Sequence, residues 1–265
     1  MEFIEKVEEK SKASMVYRGH SKEDYALIPS LFRDRGHLRN EAEMMRRIFA
    51  SQPDAFKDDF TTLEKLVRFQ HFGLPTRLLD VSWNPLVALY FCVKENQDFD
   101  GNVILISCSP KQTKYFDSDT VSCLANLAYL KGSERNALRS NKKLTIGKFN
   151  EIDQTQRLAS FIKAEKPYFI NKIHPDDLNR SVLVRPKQSN RRIIAQNGAF
   201  IIFGLNRKLS TDNDALRFDS VKLLVKKDDK SPILKQLDRL GFNDESMFPE
   251  LESAAKYIKE QFKDR

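Results

Sequence analysis

The stretch Gln70-His71-Phe72-Gly73-Leu74-Pro75-Thr76-Arg77-Leu78-Leu79-Asp80, followed by Ser82-Trp83 and then Asn84-Pro85-Leu86-Val87-Ala88-Leu89-Tyr90-Phe91, frames the whole chain. Just upstream, Leu63, Leu66, Val67, Phe69 and Phe72 recur at helical spacing, and Gly73 stops the helix they predict over 61–72. Pro75 has no amide donor and disfavours helical geometry at Leu74, so 73–80 reads as a loop turning into a short extended segment. Asn84-Pro85 is a helix start, a capping side chain with proline at the first helical position. Residues 86–93 are apolar on every face, which predicts a buried helix. Polar groups of unusual variety therefore lie between two apolar helices, where a rigid loop can hold hydrogen-bond donors over a pocket.

Working outward, Met15-Val16-Tyr17 leads into Arg18-Gly19-His20 as a strand-like run, after a charged segment 1–13 that is helical or frayed. A further amphipathic helix is predicted over 39–51, and 101–107 reads as an interior strand. Residues 117–130 read as helix. The stretch 131–148, six basic residues against one acidic, reads as exposed and partly irregular. Later, 168–171, 181–185, 193–203 and 221–225 carry β-branched and aromatic residues bounded by Pro, Gly or charge, the pattern of strands. Residues 231–240, started at Pro232 and closed by Gly241, and residues 250–262 read as terminal helices. Helices, then strands, then helices predict an α+β fold.

The chain has 265 residues, 40% hydrophobic and 31% charged, with 19 Phe, which supports a substantial core and excludes wholesale disorder. The expectation is one domain over 15–262 with an N-terminal extension, 1–14. Cys92, Cys108 and Cys123 are odd in number and lack C-x-x-C spacing, which argues against a disulfide framework or zinc knuckle. No carboxylate cluster has metal-ligand spacing, so no metal is expected. The start carries Glu2, Glu5, Glu8 and Glu9 rather than an apolar leader, and no apolar run nears the roughly 18 residues of a membrane span. A cytoplasmic protein without a membrane partner is expected.

Three places could carry chemistry. The first is the block from Gln70 to Asn84, where Arg77 and Asp80 either form a structural ion pair or help build a site. The second is Arg18, since an arginine on an apolar strand is costly to bury without an anion and its fork matches phosphate. The third is Gln196-Asn197, which interrupts a strand-like apolar run before Gly198; a bulge or turn explains it equally well.

Together, Tyr17-Arg18-Gly19, the block Gln70 to Asp80 with Asn84 to Phe91, Arg192-Ile193 with Gln196-Asn197-Gly198-Ala199-Phe200, and Phe248-Pro249-Glu250-Leu251 resemble the FRG domain family. The family is named for a Phe-Arg-Gly start, and here Tyr17 replaces the Phe. The layout is also similar, more distantly, to the ADP-ribosyltransferase superfamily. That resemblance implies a central split β-sheet with flanking helices, and NAD as ADP-ribose donor. It implies that Arg18 holds the NAD phosphates or ribose and that Thr76, Arg77, Asp80 and Ser82 support the nicotinamide ribose. Gln196 would bond the ribose hydroxyl. The site expected from it has Arg18, Thr76, Asp80 and Gln196 in catalysis, and Arg18, Gly19, Gln70, His71, Gly73, Thr76, Arg77, Ser82 and Asn84 around the cofactor. Gln196 stands where such enzymes carry Glu, and a carboxamide cannot take a proton. The base would then be Asp80, His71 or Glu250, or the site binds a nucleotide without chemistry. The resemblance further implies a bacterial toxin or phage-defence effector with an antitoxin or inhibitory partner.

The net charge of +8 is gathered on two stretches, one with Lys142 and Lys143, the other with Arg185, Lys187, Arg191 and Arg192. Basic patches of this size attract phosphate backbones through counterion release, and Tyr115, Phe116 and Tyr129 flank the first as candidate stacking groups. A nucleic-acid acceptor, RNA ahead of DNA, is expected, with a protein acceptor or a solvated basic face as the alternatives.

Overall fold

A computed structural model describes residues 2–10, 15–188, 190–206, 209 and 218–249. The strands are β1 (Met15–His20), β2 (Leu78–Ser82), β3 (Gly101–Cys108), β4 (Thr113–Tyr115), β5 (Ser181–Arg185), β6 (Gly198–Phe203) and β7 (Phe218–Val225). They form one mixed sheet in the order β4-β5-β6-β2-β1-β3-β7, antiparallel except between β4 and β5. β3 is apolar on both faces because both are covered: Val103 and Leu105 face one core, Ile104 and Ile106 another.

The described α-helices begin with α1 (Glu2–Lys10), α2 (Arg35–Arg39), α3 (Glu41–Ser51), α4 (Thr62–His71) and α5 (Pro85–Val93). Then come α6 (Asp119–Asn126), α7 (Gly132–Ser140), α8 (Ile146–Glu151) and α9 (Asp153–Glu165). The last are α10 (Pro175–Asn179), α11 (Arg191–Ala195), α12 (Lys227–Arg239) and α13 (Asp244–Met247). On one side of the sheet α4, α6 and α9 close a core over β2, β5 and β6, while α5 and α12 close another over β1 and β3. The opposite side is covered by the segment bearing Leu27 and Phe32 and by Trp83. The fold is mixed α and β, as the order of helical and strand patterns predicts.

The quoted block folds as its chemistry dictates. Thr61 and Glu64 form a reciprocal capping box at the start of α4. At its end Gly73 takes a φ of 81°, which lets its amide reach the Gln70 carbonyl and that of Leu74 reach Phe69. Asn84 caps α5 by accepting from the Leu86 amide at 2.9 Å. Gly19 explains the Arg-Gly pair: a Cβ there would lie 1.9 Å from the Ala88 carbonyl oxygen and 2.6 Å from the Cys92 nitrogen. Only glycine lets α5 lie backbone-to-backbone on β1.

Several expectations are corrected. Residues 193–195, expected to open a strand over 193–203, belong to helix α11, because Asn190 caps it by accepting from the Arg192 amide, and β6 begins only at Gly198. Residues 168–171 form no strand; Tyr168 and Ile170 are exposed beside buried Phe169. The basic stretch 131–148 is largely helical, in α7 and α8, since Leu138 and Phe149 anchor it to the core. Helix α12 begins at Lys227, five residues before Pro232, because Ile233, Leu234 and Leu237 pack beside α5 and its first amide bonds Asp100. Residues 250–262, predicted helical, lie outside the described residues. No described helix is long and apolar enough to cross a membrane.

Candidate functional site

Adjacent strands β1 and β2 share a single aligned pair, Tyr17 with Ser82, whereas β1 and β3 are aligned along all six residues from Met15 to His20. Where β1 and β2 part, a side chain takes the place of the ladder: Arg18 Nη1 donates to the Asp80 carbonyl at 2.6 Å. A cavity of about 290 Å³ opens at this gap, lined by β1, β2, α4, α5, α11 and the start of β6. Residues from both faces of the sheet line it, because the period-2 alternation of strands sends Arg18 and His20 to one face and Asp80 and Ser82 to the other.

The walls are held by hydrogen bonds from behind. The buried Thr76 hydroxyl donates to Gln70 Oε1 and accepts from the Leu78 amide, so it fixes Gln70 at the cavity wall. Ser82 Oγ donates to the Gln196 carbonyl at 2.7 Å and accepts from the Asn84 amide at 2.9 Å. Gln196 caps α11 rather than riding a strand, and its Nε2 donates to the Met247 carbonyl at 2.9 Å. The Asp80 carboxylate lines the cavity and makes no hydrogen bond or ion pair among the described residues.

Charge is unevenly balanced. Arg18, Arg33, Lys94 and Arg192 line the cavity against Asp80 and Glu95. Lys94 is spent on Asp244. Burial pushes the Arg18 guanidinium below its usual pKa, the Asp80 charge pushes it back up, and Arg33 lowers it again. His20 is 2% exposed and accepts from Arg18 Nε at 3.1 Å through its Nε2. Burial first, then the positive charges of Arg18, Arg33 and Lys222, push its pKa down to about 3, with only the Tyr25 backbone favouring the proton.

Residues 13–101 match the model of the FRG domain family. This stretch is an FRG domain. The FRG domain supplies β1, α4, β2 and α5, hence both lips of the cavity, while Arg192, Gln196 and Met247 reach it from beyond the matched stretch. No curated protein and no solved structure matches the chain.

Of the residues expected at the site, Arg18, Gly19, Gln70, His71, Asp80, Ser82, Gln196 and Arg192 line the cavity. Gly73, Thr76, Arg77 and Asn84 do not. Gly73 ends α4, Thr76 and Asn84 act behind the wall, and Arg77 belongs to the core of the FRG domain. Arg77 is 1% exposed and donates to both oxygens of Glu41, at 2.9 and 2.6 Å, and to the Phe203 carbonyl at 3.0 Å. Its partner is Glu41, itself bridged by Arg135, and not Asp80. Arg77 stands just before β2, where α3, α7 and the end of β6 supply its partners.

Of the basic residues, Arg192 alone of the six lines the cavity, and it also lies 4.7 Å from the Phe248 ring centroid. Arg185 covers the Trp83 ring at 4.4 Å, one residue from the cavity-lining Ser82. Lys187 pairs with Glu64, Arg191 is exposed, and Lys142 and Lys143 are exposed on the turn between α7 and α8. Candidate stacking groups divide likewise: Tyr115 is exposed, whereas Phe116 and Tyr129 pack on the core. Sequence reasoning missed His20, Tyr25, Arg33 and Asn190. His20 was within reach, two residues after Arg18 on the same strand; Arg33 had no local signal, since a loop brings it back.

Proposed function

We propose that the cavity binds NAD and that the protein transfers ADP-ribose from it to a nucleic acid, RNA ahead of DNA, on an ADP-ribosyltransferase-like fold. The observation that carries this reading is the convergence of three sequence-distant groups, Arg18, Asp80 and Gln196, on one cavity at a gap between neighbouring strands. The residues present fit the donor. Cations exceed carboxylates, as a diphosphate requires, and Ser82, Gln70 and Gln196 offer polar groups for ribose hydroxyls. A volume of about 290 Å³ is at the low end for small-molecule sites, enough to enclose one nucleotide unit with the other at the mouth.

NAD supplies an activated C1′–N bond whose cleavage releases nicotinamide as a new bond forms from C1′ to the acceptor nucleophile. The Asp80 carboxylate is the group suited to take the acceptor's proton, being ionisable and without a hydrogen bond or ion pair among the described residues. Gln196, with its Nε2 held by Met247, keeps Oε1 to accept from a ribose hydroxyl. Arg185 over Trp83, beside exposed Tyr115, offers the acceptor charge and an aromatic face near the cavity.

Purified protein incubated with labelled NAD and RNA, DNA or protein should release nicotinamide and label RNA, and Asp80→Asn should abolish both. Neither release nor label with any acceptor would leave the second reading, a nucleotide-binding module without turnover. The feature favouring that reading is the carboxamide of Gln196 where a carboxylate would be expected.

A further inference from the structure

On the face of the β1–β2 gap reached by Arg18, the polar groups that line the cavity are overwhelmingly donors. Arg18 spends Nη1 on Asp80 and Nε on His20, and no described bond uses Nη2. Arg33, exposed at the end of the short 3-10 turn Ser30–Phe32, makes only a 3.4 Å contact to the Ile28 carbonyl and joins no ion pair among the described residues. Because His20 Nε2 accepts from Arg18, the proton of the neutral imidazole must sit on Nδ1. That Nδ1 is buried and makes no well-aligned hydrogen bond, with the Tyr25 backbone as the acceptor within its reach; His20 lines the cavity and its ring lies 6.0 Å from that of Tyr25.

Strand register adds a third cation. Arg18 aligns with Ile104, and Ile104 with Lys222, so the lysine stands two strands away on the same face and its charge bears on His20. Asp80 is the carboxylate whose charge reaches Arg18, and it lies on the other face.

We propose that Arg18, Arg33 and the His20 Nδ1–H form a diphosphate seat, with Lys222 at its rim; in assigning it the diphosphate of NAD the proposal rests on the function above. Arg33 can fork onto one phosphate, Arg18 can donate to the other through Nη2, and the imidazole donates between them; the acceptors in the cluster are few, the Tyr25 hydroxyl and backbone and the Asp80 carbonyl that Arg18 already meets. A ligand that only accepts and carries more than one negative charge answers that set. The seat also divides the labour of the gap: anion on the Arg18 face, carboxylate and carboxamide on the Asp80 face.

Calorimetry on the full chain with inorganic pyrophosphate, ADP-ribose and nicotinamide riboside tests this. Pyrophosphate and ADP-ribose should both bind, more weakly as salt is raised. Arg33→Gln, a surface change that leaves folding intact, should weaken both about tenfold and leave nicotinamide riboside unchanged. His20→Gln, which can still accept from Arg18, should weaken them less. Unchanged affinities in Arg33→Gln, or no pyrophosphate binding by the parent, would overturn the seat. Pyrophosphate binding without nicotinamide release would instead overturn the transferase reading and leave the seat standing.

Discussion

Arg18 on β1 and Arg77 just before β2 lie close together in the fold, yet they meet opposite environments. Arg77 is enclosed with Glu41 and Arg135, each guanidinium nitrogen turned to a carboxylate or carbonyl oxygen. Arg18 meets another cation, Arg33, a neutral histidine, one backbone carbonyl and the charge of Asp80 with no ion pair to it, beside open volume. A buried cation matched to a carboxylate is architecture; a cation left in surplus at a cavity wall is an invitation to an anion. The same residue type in the same sequence neighbourhood thus serves two purposes, and the companions decide which.

The sharpest way to break this contrast is Glu41→Ala, which strands Arg77 and Arg135 in the core. Stability should fall by about 3–5 kcal/mol in denaturant unfolding, while ADP-ribose affinity of the folded protein stays unchanged. A large affinity loss with little change in stability would reverse the assignment. Arg18→Gln should do the opposite: ADP-ribose affinity weaker by tenfold or more, stability within about 1 kcal/mol of the parent, both read from the same preparation.

His20 sharpens the comparison through pH. Unfolded, it takes a proton near its ordinary value of 6.5; folded, it refuses one until about pH 3. The unfolded chain therefore binds more protons in that window, and stability falls as pH drops from 6.5 toward 3. His20→Gln should remove a slope of about 1.4 kcal/mol per pH unit from the parent's denaturation curves between pH 6 and 4. Identical slopes in the two proteins would show that the imidazole is not held neutral. The smallest effect is expected at the acceptor surface. Arg185→Gln should lower the salt dependence of RNA binding by about 0.7 in log–log slope, whereas Lys142→Gln, away from the cavity, should leave label transfer to RNA unaltered.

Local chemistry made much of this legible. The end of α4 at Gly73, the start of α5 at Asn84-Pro85 and strand β1 each follow from one or two residues whose backbone preferences admit few alternatives. The cavity's principal polar groups were legible for a different reason, since Arg18, Asp80 and Gln196 are conspicuous in apolar surroundings. Residues 193–195 read as strand because Ile193, Ile194 and Ala195 suit strand or helix alike, and the deciding cap, Asn190, lies outside the apolar run. Thr76 and Arg77 were read as site residues because they neighbour one. Whether a polar side chain faces a cavity or stands behind its wall depends on partners such as Gln70 and Glu41.

By itself the sequence determined the backbone punctuation and the α+β class, because capping, glycine and proline act over a few residues. It shows a glycine after Arg18, but that glycine is required there, with α5 pressed against β1, only by the fold. Tertiary structure alone decided which charges are compensated. Ion pairs such as Arg77 with Glu41, 36 positions apart, and clusters such as Arg18 with Arg33 and Lys222 join residues that loops and strand register bring together. Coulomb energy depends on distance and burial in space, and the order of residues along the chain fixes neither.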